Sequence, residues 1–102
     1  MSLEYAQVLY ELRVQCAGLG CDMESAVLSR NMVTAAYDLV IDVKDIRTGG
    51  TWHGELTLGD AELLTLSRER LVNMDKIVGQ IVYDALVDWQ EGKQTQLHAL
   101  PE

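Results

Sequence analysis

The chain has 102 residues, 48% apolar and 24% charged, and its 16 acidic residues outnumber eight basic ones to give a formal charge of −8. That length is enough for one domain with one modest core, and the composition is typical of folded rather than disordered proteins. Affinity for nucleic acid comes largely from lysine and arginine on phosphate, so the acidic balance argues against direct DNA or RNA binding.

The first residues, MSLEYAQ, lack the positive charge and the apolar run of a secretion signal. No apolar stretch approaches the roughly 20 residues needed to cross a bilayer. We therefore expect a cytoplasmic protein without membrane contact. In that reducing compartment Cys16 and Cys21 are expected to be free thiols.

Two helices are predicted at the amino-terminal end. Tyr5, Val8, Leu12 and Cys16 share one face of a first helix, although residues 10–16 also alternate as a strand would. A second helix is expected to begin at Asp22. Its inner face would consist of Ala26, Met32, Val33 and Ala36.

A β-hairpin is predicted next, with strands at about 38–47 and 51–58. Both segments alternate between apolar and polar residues, and Gly49-Gly50 supplies the backbone freedom of a tight turn. The fold class is therefore α+β. An alternative all-α, three-helix domain remains open, in which residues 22–47 form one helix and Asp38, Asp42 and Asp45 face outward together.

The longest amphipathic pattern runs from Asp60 to Glu91 and predicts one long helix. At 1.5 Å per residue it would measure roughly 48 Å, whereas a compact domain of this size has a diameter of roughly 34 Å. Part of its apolar stripe would then lie in water unless the helix breaks near residues 73–75 or at Gly79. Because the stripe keeps its phase through Leu71, Met74 and Val78, we expect a continuous helix, and its uncovered part predicts a homodimer or another protein partner at this surface. The candidate interface residues are Met74, Val78, Ile81, Val82, Ala85, Leu86 and Trp89.

Residues 1–92 are predicted to form a single domain, and residues 93–102 a polar, mobile tail. No metal or cofactor site is expected, because Cys16, Cys21, His53 and His98 lack the close spacing of zinc ligands. The acidic segment 42–56 also places non-ligand residues where a calcium loop requires oxygen atoms. No catalytic motif is present, so we do not expect an enzyme.

The predicted function is a small acidic protein-binding module, an adaptor, inhibitor or regulator. It would act through the long helix or through an acidic face, which could also imitate nucleic acid as some inhibitors do. The candidate acidic face comprises Asp38, Asp42, Asp45, Asp84, Asp88 and Glu91. The alternative is a small enzyme or small-molecule-binding protein with a pocket near Tyr37, Trp52 and His53.

Overall fold

The computed structural model describes residues 3–92, and the predicted tail at 93–102 lies outside them. These residues have an α+β fold, as the sequence predicts. The elements are, in chain order, α1 (Tyr5–Gly18), β1 (Cys21–Asn31), β2 (Ala36–Asp45), β3 (Thr51–Gly59), α2 (Asp60–Arg70) and α3 (Met74–Gln90).

The three strands form an antiparallel sheet in the order β1-β2-β3. β2 and β3 lie close to the two strands of the predicted hairpin and pair from Ala36 with Gly59 to Lys44 with Thr51. The loop between them, residues 46–50, includes Gly49 with a φ of +75°. A glycine adopts this left-handed conformation without the steric cost that a side chain would add.

The predicted second helix is wrong, because residues 21–31 form strand β1, and the all-α alternative fails for the same reason. Met32 and Val33, assigned to the inner face of that helix, are 80% and 95% exposed. They lie in a turn that begins at Asn31, whose side-chain oxygen accepts hydrogen bonds from the N–H groups of Val33 and Thr34. Such a turn ends one strand and returns the chain antiparallel as the next.

The single long helix is also wrong, because it is divided into α2 and α3 at residues 71–73. Leu71 adopts the left-handed conformation, with φ 57° and ψ 40°, and α3 begins after Asn73. The longest dimension of the folded chain is 38 Å, shorter than an unbroken helix of roughly 48 Å. The break turns α3 back over the sheet, where its apolar stripe is buried.

Glycine at position 71 is expected to stabilise the protein by about 0.5–1 kcal/mol, because the left-handed conformation costs a side-chain-bearing residue roughly 1–2 kcal/mol. The leucine side chain is 89% exposed, so little packing is lost. Urea denaturation of Leu71→Gly measures the gain. Leu71→Ala is the control, since alanine keeps the conformational cost; an equal gain in both variants would rule out this explanation.

The core lies between one face of the sheet and the helices packed on it. α1 contributes Val8 and Leu12, which are at most 1% exposed. Ile77, Val78, Val82 and Leu86 of α3 face them and are fully buried. The sheet contributes Leu39, Ile41, Val43, Leu56 and Leu58. Because the helices pack on this one side, no described element covers the opposite side of the sheet.

Candidate functional site

The uncovered side of the sheet, here named the open face, carries polar side chains in four rows across β1, β2 and β3. Alternate residues of a strand point to opposite sides, so the strand register assigns each residue to a face. The rows are Asp22–Lys44–Thr51, Ser25–Asp42–His53, Val27–Val40–Glu55 and Ser29–Asp38–Thr57. Four carboxylates therefore accompany one lysine and one histidine on this face.

Asp42 is at the centre of a hydrogen-bonded group on the open face. Ser25 Oγ donates to Asp42 Oδ2 at 2.9 Å, and His53 Nδ1 lies 2.7 Å from Asp42 Oδ1. The other ring nitrogen of His53 lies 3.0 Å from Glu55 Oε2. Since both ring nitrogens face carboxylate oxygens, the imidazolium form can donate to both.

The electrostatics of this group favour a positively charged histidine. Its hydrogen bond to Asp42, and then that to Glu55, raise the pKa of His53 above the usual value. The hydrogen bond from His53, followed by that from Ser25, lowers the pKa of Asp42. The charges hold the side chains of neighbouring strands in a defined arrangement, although the histidine side chain is 51% exposed.

The order of these groups does not suit nucleophilic catalysis. In a catalytic triad the imidazole accepts the serine proton and the carboxylate orients the imidazole. Here Asp42 lies between Ser25 and His53, so the hydroxyl donates to a carboxylate and both imidazole nitrogens are already engaged. The arrangement is suited to presenting fixed charges at a surface.

The stability of the protein is expected to fall with rising pH near neutrality because of His53. Its pKa is raised in the folded state, so this contribution is complete below the unfolded value of about 6.5 and is lost as the pH rises through the folded value. Urea denaturation from about pH 6 to 9 measures the slope. His53→Gln should flatten it; an unchanged slope in that variant, or a histidine that titrates at its usual pKa by NMR, would contradict the assignment.

The predicted acidic face is not one surface. Asp38 and Asp42 share the open face, and Asp38 Oδ1 accepts a 3.0 Å hydrogen bond from Thr57. Asp45 points to the core side and is 4% exposed. The remaining three candidates lie at α3, on the other side of the sheet, and are Asp84, Asp88 and Glu91.

Asp45 has a structural role at the end of β2. Its carboxylate accepts hydrogen bonds from the N–H groups of Arg47 and Thr48 and from Gln90 Nε2. Burial acts to raise the pKa of Asp45, but these hydrogen bonds outweigh it and hold the pKa below its usual value. The residue therefore orders the β2–β3 loop and joins it to the end of α3.

The candidate helix interface lies within the protein's own core. Five of its members are buried, with exposures between 0% and 7%, namely Met74, Val78, Val82, Ala85 and Leu86. Ile81 and Trp89 are partly buried and pack against the same core. These side chains contact the sheet and α1, and they do not form an exposed docking stripe. The homodimer itself stays a prediction, now without this surface to support it.

The candidate pocket is not formed, because its three residues lie on two sides of the sheet. Tyr37 and Trp52 face the core, whereas His53 faces solvent. The Tyr37 hydroxyl accepts a 3.1 Å hydrogen bond from the Leu3 N–H, and the Arg30 guanidinium lies 4.6 Å from the centre of its ring. Adjacent residues of a strand cannot both line one pocket wall.

Clefts also border other parts of residues 3–92. One of about 580 Å³ is bordered by the β1–β2 turn and the start of α2, and one of about 390 Å³ by residues 18–20 and Gln90.

Cys16 and Cys21 are buried free thiols, and burial raises the pKa of Cys16 to about 11. Within residues 3–92 no group of three or more histidine, cysteine or acidic residues is arranged to hold a metal ion. Over the same range no helix has the length and apolar character required to cross a membrane.

Much of the open face could not be predicted from the sequence. Ser25 and Val27 fall within the predicted second helix, a prediction that does not place them beside Asp42 and Val40 as strand β1 does. The alternation of residues 51–57 did carry a signal for Glu55, since it places this acid on the same side as His53.

No protein-family model, curated protein or solved structure matches the chain.

Proposed function

We propose that this protein is a protein-binding module, an adaptor, inhibitor or regulator, whose open face binds a basic segment of a partner protein in the cytoplasm. The observation that carries the proposal is an uncovered sheet face whose four carboxylates outnumber its two positive groups, Lys44 and His53. The carboxylates belong to Asp22, Asp38, Asp42 and Glu55. Complementary charge steers a basic partner toward such a face and disfavours acidic partners.

Hydrogen bonds on the open face orient its carboxylates before a partner binds, which reduces the conformational entropy lost on binding. Asp38 is held by Thr57, and Asp42 by Ser25 and His53. Carboxylates that are already oriented lose less conformational entropy when a cation binds. A partner lysine or arginine would therefore meet acceptors whose positions are set before contact.

A small apolar strip supports a peptide or protein partner rather than an isolated cation. Val27 is 60% exposed and lies directly opposite Val40, in the middle of the open face. The strip is flanked by the row with Asp42 and the row with Asp38. Lysine and arginine side chains have apolar stems that cover such surface while their charged ends reach neighbouring carboxylates.

The other predicted roles receive less support. A nucleic-acid imitator would need its acids on one surface, whereas Asp84 of α3 lies on the other side of the sheet from Asp38 and Asp42. An enzymatic role is not supported by the order of Ser25, Asp42 and His53. We therefore propose a non-catalytic role without a cofactor.

Charge-neutral variants of the open face test the proposal. Asp38→Asn with Glu55→Gln removes two charges while keeping one acceptor oxygen on each side chain. The pair is expected to weaken binding of a synthetic lysine- and arginine-rich peptide about five- to tenfold. The control, Glu69→Gln with Asp84→Asn, removes two charges from exposed helix positions. Its affinity should change less than about twofold. Fluorescence anisotropy at constant ionic strength measures both, and equal losses would contradict a specific face.

A further inference from the structure

The outer edge of β3 is an unpaired strand edge. β3 hydrogen-bonds to β2 only, and within residues 3–92 the outward N–H and C=O groups of residues 51–58 have no hydrogen-bond partner. The strand is nine residues long and its pairing with β2 has no bulge. A regular strand edge without a paired neighbour is a template for another strand.

The opposite edge of the sheet differs. β1 has an irregularity between Met23 and Ser25, where Glu24 is left out of the register. The Tyr5 hydroxyl also donates a 3.3 Å hydrogen bond to the Ala26 carbonyl oxygen, so part of this edge is already occupied by α1. Bulges and covering side chains are devices that prevent pairing at an edge. β3 is therefore the better candidate for contact with another chain.

Two copies of β3 placed side by side in antiparallel orientation have complementary side chains. On the open face the order is Thr51, His53, Glu55 and Thr57. We propose that a second copy of this chain binds here, with β3 antiparallel to β3 and Gly54 opposite Gly54. In this register His53 faces Glu55 of the second copy, and Thr51 faces Thr57 of the second copy.

Opposite charges and threonine pairs across strands are favourable, whereas like charges directly opposite each other are unfavourable. Pairing centred on Glu55 would place that carboxylate against its own copy. Pairing centred on His53 would place the imidazolium groups of the two copies opposite each other. The register centred on Gly54 is the one of the three that joins opposite charges, and it does so twice.

The proposed dimer would have six strands in one sheet. The two-fold axis of an antiparallel edge pair is perpendicular to the sheet, so both open faces lie on the same side. The dimer goes beyond the proposed function, because binding of a basic peptide by one copy does not depend on it. It also uses an edge of the sheet, whereas the homodimer predicted from the sequence used the α3 side chains that are buried in the core.

Disulfide trapping tests the register. Residues opposite each other in an antiparallel pair have Cα atoms about 4.5–5.5 Å apart, within the range that a disulfide spans. Mild oxidation of an equimolar mixture of full-length Thr51→Cys and Thr57→Cys should give a mixed cross-linked dimer. Each variant alone should give little, and Cys16 and Cys21 are too buried to interfere. Cross-linking of Thr51→Cys with itself at a comparable yield would overturn the register.

A charge experiment tests the pairing itself. Glu55→Lys should weaken self-association about tenfold, because it places two positive groups opposite each other, and His53→Glu should do so with two negative groups. A mixture of the two variants should form a heterodimer as tight as the wild-type dimer, since both cross-strand pairs are then opposite in charge. Sedimentation velocity measures the extent of association of each variant and of the mixture. Circular dichroism confirms that the variants are folded.

A wild-type chain that stays monomeric, or that forms open-ended assemblies instead of dimers, would overturn the proposal. Failure of the mixed variants to associate would also overturn it. Peptide affinity measured on the same samples is a separate result: a monomer that binds the basic peptide through its open face would refute the dimer and leave the proposed function intact.

Discussion

Leu86→Ala is expected to lower the free energy of unfolding by about 2–5 kcal/mol, a large share of the total for a small domain. Leu86 lies on α3 and is 0% exposed in the folded chain. The substitution removes buried apolar atoms and leaves a cavity that the surrounding core can fill only in part.

Because the side chain is buried within one chain, the loss should be the same at low and high protein concentration. Urea denaturation at two concentrations measures it. Leu71→Ala is the control, because that leucine is 89% exposed and its loss should change stability by less than about 0.5 kcal/mol. A loss for Leu86→Ala that appears only at high concentration, where chains would associate, would place the residue in an interface between chains.

Gln90→Ala should lower the free energy of unfolding by about 1–3 kcal/mol. Its side-chain Nε2 lies 2.7 Å from the Leu19 carbonyl oxygen, 3.3 Å from Cys21 Sγ and 3.3 Å from Asp45 Oδ2. One amide group thus joins the end of α3 to the α1–β1 turn and to the end of β2. Alanine would remove this donor from partly buried acceptors, which water replaces only poorly.

Gln80→Ala is the matched control for that loss. Gln80 is also in α3, but its Oε1 accepts a single exposed hydrogen bond from Arg70. Its truncation should cost less than about 0.5 kcal/mol. Thermal and urea denaturation of both variants give the comparison, and equal effects would show that Gln90 has no special structural role.

The hairpin could be predicted because its signal is local. Residues 51–58 alternate strictly, Gly49 supplies the turn, and the segment before the turn is rich in β-branched residues. β1 could not be assigned in the same way. Its apolar residues fit a helical period as well as an alternating one, and the deciding factor is pairing with β2, a contact between distant parts of the chain.

The break between α2 and α3 also could not be predicted from the periodicity of the sequence. The apolar stripe keeps its helical phase through residues 71–74, so periodicity indicates continuity. The chain breaks there because a helix longer than the domain cannot bury its second half, whereas a turn at Leu71 lets α3 cover the sheet. A helix too long for the domain predicts either a break or a second subunit, and the unbroken phase favours the second subunit, but the chain contains the break.

The candidate site depends on the same long-range pairing. Asp38, Asp42 and His53 could be chosen from the sequence as charged or titratable residues. That the aspartates share a face with His53, while Asp45 points to the core, follows only from the strand register. The sequence does not separate Asp84 from these aspartates, because it shows the sign of a charge and not the side of the sheet on which the charge lies.

The most direct test of the open face as a binding surface is an NMR titration of the ¹⁵N-labelled chain with the synthetic basic peptide. We expect the amide signals of β1, β2 and β3 to shift, with the largest changes in the rows that contain Asp38, Asp42 and Glu55. The signals of α3 around Asp84 should move little. Shifts concentrated on the helices, or spread evenly over all acidic positions, would contradict binding at the open face.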